Sequence, residues 1–183
     1  MKLSKTFLCI ILLMLFSCAT AYDIIYDYNM NADFDSYTTF TICNDDLFPE
    51  KVTHPKIDNE KSRQYIANEV TKQMQIRNHK TNALNPELQA GFKIVVNRET
   101  LSFVDCSYSE EFQYWEECKI TEETYNQESL ILYVADYKTN TIIWQASTKC
   151  NLNKSKKNLE KHIQELVTKL YSTYPKRTKE IQL

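Results

Sequence analysis

The chain of 183 residues contains only one glycine, Gly91. Loops that cradle phosphate groups, and the strained turn that carries the nucleophile of α/β-hydrolases, need several glycines for close backbone approach or positive φ angles. The scarcity of glycine therefore excludes a nucleotide-binding loop and this type of hydrolase site. The turn signals that remain are clusters of asparagine, aspartate and proline, such as residues 29–33 and Asn85-Pro86.

The composition describes one globular domain with no affinity for nucleic acid. Hydrophobic residues make up 43% of the chain and charged residues 25%, which is typical of a folded protein and not of a disordered or fibrous one. A length of 183 residues supports one domain with its own core and is short for two. The formal net charge of −2 gives no electrostatic reason to bind nucleic acid.

The N-terminal residues form an export signal. Lys2 and Lys5 precede an unbroken apolar run over residues 7–16. This run is about half as long as a helix that crosses the hydrocarbon core, so a transmembrane anchor is disfavoured. We therefore expect a signal peptide over residues 1–17.

Two processing patterns compete where the signal ends. Residues 15–18, Leu-Phe-Ser-Cys, resemble the bacterial lipobox, in which the cysteine receives a diacylglyceryl group and becomes the first residue of the mature chain. Residues 19–21, Ala-Thr-Ala, fit ordinary secretion with cleavage before Tyr22. Because the cysteine stands directly at the end of the apolar run, we favour lipidation of Cys18.

Lipidation of Cys18 predicts a protein held at the bacterial cell envelope, most simply at the outer membrane facing the periplasm. The acyl chains contribute about 0.8 kcal/mol per buried methylene, which makes such an anchor effectively permanent. Residues 18–23 then form a tether that spans less than ~20 Å. The alternative processing predicts a soluble secreted protein.

The remaining chain predicts a single α+β domain over residues 24–175, followed by a basic C-terminal tail over residues 176–183. Alternating or β-branched runs predict strands at residues 24–28, 37–43, 88 to about 104, 129–135 and 141–148. Apolar residues at helical spacing predict helices over residues 58–77, capped by Asp58 or Asn59, and over residues 159–170. Without strict alternation of strand and helix, this order predicts an antiparallel or mixed sheet of about five strands with two helices packed on one face.

Three landmarks carry a resemblance to a known family. They are Tyr26-Asp27-Tyr28 with residues 32–40, then Asn85-Pro86-Glu87-Leu88, then Leu130 to Asp136 with Lys138-Thr139 and Ile142-Ile143-Trp144. In order and spacing they resemble a bacterial lipoprotein family known as domain of unknown function four-one-three-six, from residue 22 to about residue 175. The resemblance implies a lipid-anchored envelope protein with an α+β fold, and it implies no activity.

The chain departs from the family pattern at two places. Family members tend to have glycine where the first helix ends, and this chain has Arg77-Asn78-His79. Asparagine tolerates the left-handed conformation, so we expect the helix end to be kept. The second departure is an insertion-like segment over residues 105–123, which is flanked by cysteines.

The opening landmark has a structural interpretation. Asp27 and Asp33 can accept backbone N–H groups in the turn between strands, while Phe34 and Tyr37 pack beneath it. The alternative is a metal or sugar-chemistry site at Asp33 and Asp35, for which no third ligand stands nearby. We favour the structural interpretation.

No motif predicts catalysis, a metal or a cofactor. The three histidines, His54, His79 and His162, are unpaired at ligand spacing, and we expect them on the surface. A cysteine nucleophile with a distant histidine base has no positive support. The sequence thus predicts a protein that is not an enzyme.

Apart from Cys9 of the signal and the lipid acceptor Cys18, four cysteines remain, an even number in an exported chain, which favours disulfides. We expect Cys106 to pair with Cys118, because they bracket a segment that folds back on itself. Cys43 then pairs with Cys150 by default. The alternative is reduced, buried thiols.

The segment over residues 105–123 is acidic and aromatic, with seven carboxylates against Lys119. Residues 149–183 are basic, with nine cations against three carboxylates. In a stapled hairpin the aromatic side chains would offer contact area to a partner at little entropic cost; they are Tyr108, Phe112, Tyr114 and Trp115. In the alternative, which we slightly favour, these aromatics extend the core and the charges are solvated.

We therefore expect a non-catalytic, lipid-anchored envelope protein that binds or assembles with an envelope protein near the membrane surface. One alternative is a periplasmic carrier that holds an apolar or aromatic ligand against the sheet. A hydrolase with a site assembled from scattered residues is the third hypothesis.

Replacing the lipid-accepting thiol tests the anchor. Cys18→Ser leaves the apolar export run intact but removes the acceptor, so the variant should persist as an uncleaved precursor or leave the membrane fraction. Fractionation followed by mass determination of the N-terminal peptide measures both. Unchanged maturation and membrane association would instead support cleavage after Ala21.

Overall fold

The computed structural model describes residues 23–108, 116–153 and 158–175, and for residues 103–108 and 116–120 it describes the backbone only. Its elements, in chain order, are β1 (Ile24–Tyr28), β2 (Thr39–Ile42), α1 (Asn44–Leu47), α2 (Glu60–Ile76), β3 (Lys80–Thr81), β4 (Leu88–Tyr108), β5 (Glu116–Asp136), β6 (Thr141–Cys150) and α3 (Leu159–Tyr171). Six strands form one open sheet in the order β1-β6-β5-β4-β2-β3. Strand β2 runs parallel to β3 and β4, and the other pairs are antiparallel.

The predicted α+β fold with a mixed sheet is confirmed. The described residues add two short elements that the sequence did not signal, the four-residue α1 and the two-residue β3. Both are too short to carry a periodic pattern, and β3 is the edge strand that Lys80 and Thr81 form by pairing with β2.

Local signals placed the ends of α2 correctly. Asn59 is the N-cap, and its side chain accepts a hydrogen bond from the backbone N–H of Ser62 at 3.0 Å. At the other end Asn78 takes a positive φ of 63°, and the N–H of His79 donates to the carbonyl of Met74. The expectation that asparagine would replace the usual glycine at this helix end is therefore confirmed.

The hydrophobic core lies between one face of the sheet and the pair of helices α2 and α3. Leu88, Ala90 and Phe92 alternate inward from β4, as their spacing predicted, and are fully buried. Further along β4, Ile94 is only half-buried because the strand is leaving the helices. The other strands and the helices contribute Leu130, Leu132, Val134, Trp144, Ile66, Val70, Met74, Ile163, Leu166 and Leu170, all with 0 to 1% exposure. Burying one such side chain contributes about 1.5 to 3 kcal/mol.

Strands β4 and β5 pair over 21 residues, much further than their neighbours reach. Strand β2 accompanies β4 only to Ala90, and β6 accompanies β5 only from Glu128. The pairs from Asn97 with Gln127 to Tyr108 with Glu116 thus form a two-stranded ribbon, which we call the arm (residues 97–108 and 116–127). At about 3.4 Å per residue the arm is ~40 Å long.

The arm corrects the predicted strand boundaries. The sequence predicts strands that end at about residue 104 and begin again at residue 129, but the ladder continues through residues 105–108 and 116–128. Backbone hydrogen bonds between paired strands do not require an apolar alternation of side chains, so a prediction based on that alternation ends before the ladder does.

The only glycine lies inside β4, where Gly91 pairs with Tyr133 of β5. The Tyr133 ring crosses the backbone of Gly91 toward α1. A Cβ at this position would meet Cζ and Oη of Tyr133 and Oδ2 of Asp46, all closer than 3.0 Å. A glycine within a strand commonly marks such a close approach.

Gly91→Ala should therefore destabilise the fold by about 1 to 3 kcal/mol, the usual cost of overpacking. Denaturant unfolding measures the loss. In a Tyr133→Val background the two closest contacts are absent and only the Asp46 carboxylate has to shift, so the same Gly91→Ala change should cost less. Equal losses in the two backgrounds would contradict this account of the glycine.

Candidate functional site

Three loops meet at the end of the sheet opposite the arm. They join β1 to β2, β3 to β4 and β5 to β6, over residues 29–38, 82–87 and 137–140. Because Leu88 pairs with both Phe40 and Asp136, and Tyr28 pairs with Trp144, all three loops lie at the same level of the sheet. We call these three loops the loop end.

Glu87 binds the first loop to the second. Its Oε2 accepts hydrogen bonds from the N–H of Thr38 at 2.6 Å and of Thr39 at 3.0 Å. The Thr38 hydroxyl donates to the same oxygen at 3.0 Å. These donors, the backbone N–H of Thr38 foremost, lower the pKa of Glu87 below its ordinary value of 4.5.

Asp136 binds the first loop to the third. Its Oδ1 accepts from the N–H of Thr139 at 2.8 Å, and its Oδ2 accepts from the Tyr37 hydroxyl at 2.9 Å. The Thr139 bond is the main reason why the pKa of Asp136 is lowered. Burial, and then the bond to Asp136, raise the pKa of Tyr37 to about 12. The three sequence landmarks are thus joined by hydrogen bonds at one place.

The structural interpretation of the opening landmark is confirmed. Asp27 accepts from the N–H of Tyr28 at 2.9 Å, and Asp33 accepts from the N–H of Asp35 at 3.1 Å. Phe34 is buried beneath this turn. Within the described residues, no group of three or more histidine, cysteine, aspartate or glutamate side chains is placed to hold a metal ion.

A polar cluster that the sequence did not signal lies where β2 ends. Asp46 of α1 accepts from the N–H of Phe92 at 3.1 Å and from the Tyr133 hydroxyl at 2.6 Å. Burial, with hydrogen bonds to Asp46 and Cys43, raises the pKa of Tyr133 and keeps it protonated. The isolated glycine in a strand was the one available signal that another group approaches there.

Arg63 joins α2 to the same cluster. Its guanidinium binds both carboxylate oxygens of Asp58 at 2.6 Å and also donates to the backbone carbonyl of Asp46. Both side chains of this ion pair are about nine-tenths buried. With these hydrogen bonds the cluster fixes the free edge of β4 and joins it to α1 and α2.

The predicted disulfide between Cys43 and Cys150 is wrong, because both are free thiols. Cys43 follows β2 and Cys150 ends β6, and two strands separate them in the sheet. Three strand spacings place them at least ~14 Å apart, about twice the Cα distance that a disulfide spans.

The other cysteine pair stays a prediction. The register of the arm places Cys106 directly opposite Cys118, although their side chains are outside the described set. Directly opposed residues of antiparallel strands have Cα atoms about 4.5 to 5.5 Å apart, within the range of a disulfide.

His79 is buried, so the expectation that all three histidines lie on the surface is wrong for this residue. His79 is only 2% exposed, and its Nε2 lies 3.5 Å from the Tyr174 hydroxyl. The left-handed turn at Asn78 directs the chain inward, so the next residue is covered by the turn after α3. His54 and His162 are half-buried.

Of the four predicted contact aromatics, Tyr108 alone lies within the described backbone. Tyr108 pairs with Glu116 at the last described step of the ladder. Phe112, Tyr114 and Trp115 lie outside the described residues, as does Cys18.

The pH dependence of the unfolding free energy at acid pH tests the Glu87 contacts. A carboxyl whose folded pKa is lowered contributes stability above its unfolded pKa, and this is lost as the pH falls through the folded value. Glu87→Gln should therefore unfold more easily than the wild type near neutral pH, and the difference should shrink below about pH 4. Thermal unfolding across pH measures this, with the exposed Glu50→Gln as a control that should change little.

Across the described ranges, no helix combines the length and apolar character needed to cross a membrane. Among solved structures, the chain resembles a DUF4136 family protein from Bacteroides thetaiotaomicron, with 15% identity, 87% of this chain and 99% of that chain covered, and a TM-score of 0.54. It also resembles a PDZ domain protein from Parabacteroides distasonis, with 10% identity and a TM-score of 0.52, covering 83% of this chain but only 35% of that one. Likeness at such identities shows the fold alone.

No curated protein sequence matches the chain. A family model does match, over residues 24–176, and its description is Domain of unknown function (DUF4136). This match covers all the described strands and helices, so the chain belongs to the DUF4136 family.

Proposed function

We propose that this protein is a non-catalytic, lipid-anchored component of the bacterial cell envelope that binds a partner near the membrane surface. The arm is its contact element. The observation that carries this proposal is the two-stranded ribbon itself, which extends ~40 Å beyond the core.

The arm does little to stabilise the domain from which it extends. Residues 100–102 and 121–126 are all exposed, and they include Leu101 at 47% and Tyr125 at 37% exposure. An isolated two-stranded ribbon is marginally stable in water. A partner packed along the arm would cover these apolar side chains and stabilise the ribbon. Binding a partner would therefore account for an element that the core does not need.

Charge restricts the kind of partner. Residues 97–127 carry eight carboxylates and two cations. Two such arms would repel each other, because like charges brought together across an interface are destabilising. The arm therefore favours a partner that presents a basic surface.

The position of β1 is consistent with a contact near the membrane. Ile24 pairs with Thr148, and Thr148 with Leu130, a level of the sheet close to the base of the arm. The start of β1 and the base of the arm therefore lie toward the same end of the sheet. With Cys18 lipidated and less than ~20 Å of tether, the base of the arm lies close to the membrane.

The geometry gives less support to the two alternatives. A carrier needs an apolar cavity, but the space between sheet and helices is filled by fully buried side chains. A hollow of about 160 Å³ on the opposite face, between Ile25 and Ile131, is shallow and small for such a ligand. A hydrolase needs a convergent reactive set, and the clustered carboxylates and tyrosines of the described residues are engaged with one another.

Site-specific photocrosslinking in intact bacteria tests the contact. A crosslinking residue at Leu101, on the arm, should capture a defined partner, whereas one at the exposed Gln164 of α3 should not. Capture from both positions, or from neither, would contradict the assignment of the arm.

Removing two of the predicted contact aromatics tests the same proposal through the free energy of partner binding. Replacing Tyr114 and Trp115 together by alanine should weaken partner capture by more than ~2 kcal/mol while the unfolding temperature stays unchanged. Thermal unfolding of the double variant is the control. A large fall in the unfolding temperature would instead make these residues part of the core.

A further inference from the structure

The chain leaves the described fold at the loop end. After α3, Tyr174 is buried, with its ring centroid 5.4 Å from that of Phe34 and 5.3 Å from that of Trp144. Pro175 is the last described residue. The following residues, 176–183, which we call the tail, therefore start beside the turn that carries Asp33 and Asp35.

The surface around this exit point combines carboxylates with exposed apolar side chains. Asp33 is exposed, and Asp35 is half-buried. Met30 is 86% exposed and Ile142 49% exposed. The N–H of Asn29 donates to the carbonyl of Ile143 at 2.8 Å, so the backbone at Met30 lies close to the backbone at Ile142. Single exposed apolar residues need no explanation, but a group of them beside charged residues is typical of a contact surface.

The order of charged and apolar residues in the tail matches this surface. Lys176, Arg177 and Lys179 come first, and Ile181 and Leu183 follow. The cations would thus leave the fold next to the two carboxylates, and the apolar residues would follow six and eight residues after Pro175, within a reach of ~26 Å.

We propose that the tail binds back across the loop end of its own chain, with its cations on Asp33 and Asp35 and its apolar residues on Met30 and Ile142. The loop end is then a docking surface for a segment that is basic first and apolar after, and the tail is its resident occupant. This inference does not depend on the proposed role of the arm or on the lipid anchor.

Distance decides between the two acidic surfaces of the molecule. Tyr174 packs on Trp144, which lies at the level of Ala90 in the sheet, and the arm begins seven residues further along β4 at Asn97, ~24 Å away. The last tail cation, Lys179, is four residues after Pro175, a backbone reach of only ~13 Å. Attachment beside Asp33 also gives the tail a high effective concentration at the loop end, of millimolar order for a short linker.

Crosslinking within the purified mature chain tests the proposal. A photoreactive residue at Ile181 should insert into peptides that contain residues 28–36 or 141–143. The protein is prepared as an equal mixture of ¹⁴N- and ¹⁵N-labelled chains, so that mass spectrometry distinguishes insertion within one chain from insertion between two. Insertion between chains would overturn binding in cis and identify a second copy as the occupant. Insertion elsewhere, or no defined site, would overturn the docking surface itself.

Charge variants supply the matched comparison. Reversal of the tail cations (Lys176→Glu, Arg177→Glu, Lys179→Glu) should lower the yield of these crosslinks at least ~5-fold, and added salt should do the same because exposed ion pairs are screened. Reversal of two exposed lysines elsewhere (Lys51→Glu, Lys56→Glu) should leave the yield unchanged. Asp33→Asn keeps the oxygen that accepts from the N–H of Asp35 but removes the charge, so it should also lower the yield. Equal yields in all variants would contradict the charge pairing.

Discussion

The ladder between β4 and β5 is the interaction on which the rest of this structure depends. From Leu88 to Val96 it forms the centre of the sheet and presents alternate side chains to the two helices. From Asn97 onward the same ladder leaves the core and becomes the arm. One continuous register therefore sets both the buried part of the sheet and the arm that extends beyond it, and a slip by one residue would invert every side chain of both.

The free edge of β4 is the second constraint. Strand β2 ends at Ile42, so the N–H of Phe92 has no strand partner, and Asp46 supplies the acceptor. Tyr133 reaches the same carboxylate only because Gly91 has no side chain beneath its ring. Arg63 then connects α2 to this edge. A buried polar group without a partner is costly, and here backbone and side-chain groups from α1, α2, β4 and β5 satisfy one another.

The two ends of the sheet have different characters. At the loop end, Glu87 and Asp136 convert three connecting segments into one fixed surface, and the three landmarks that suggested the family are the residues that build it. Those landmarks therefore have an architectural explanation that requires no activity. At the opposite end the arm and the start of β1 emerge together, which supports a role for that end in contacts near the membrane.

The sequence by itself determined what depends on neighbouring residues: the bounds of β1, the cap of α2 at Asn59, and the left-handed residue Asn78 that replaces a glycine. Only the tertiary structure decided which distant segments meet. Tyr37 bonds Asp136 across 99 positions and Tyr133 bonds Asp46 across 87, while Cys43 and Cys150 are kept apart by two intervening strands. The burial of His79 and the length of the arm were likewise decided by the tertiary structure. The physical reason is that capping and backbone preference act within a few residues, whereas strand order and register are set by the packing of the whole sheet against its helices.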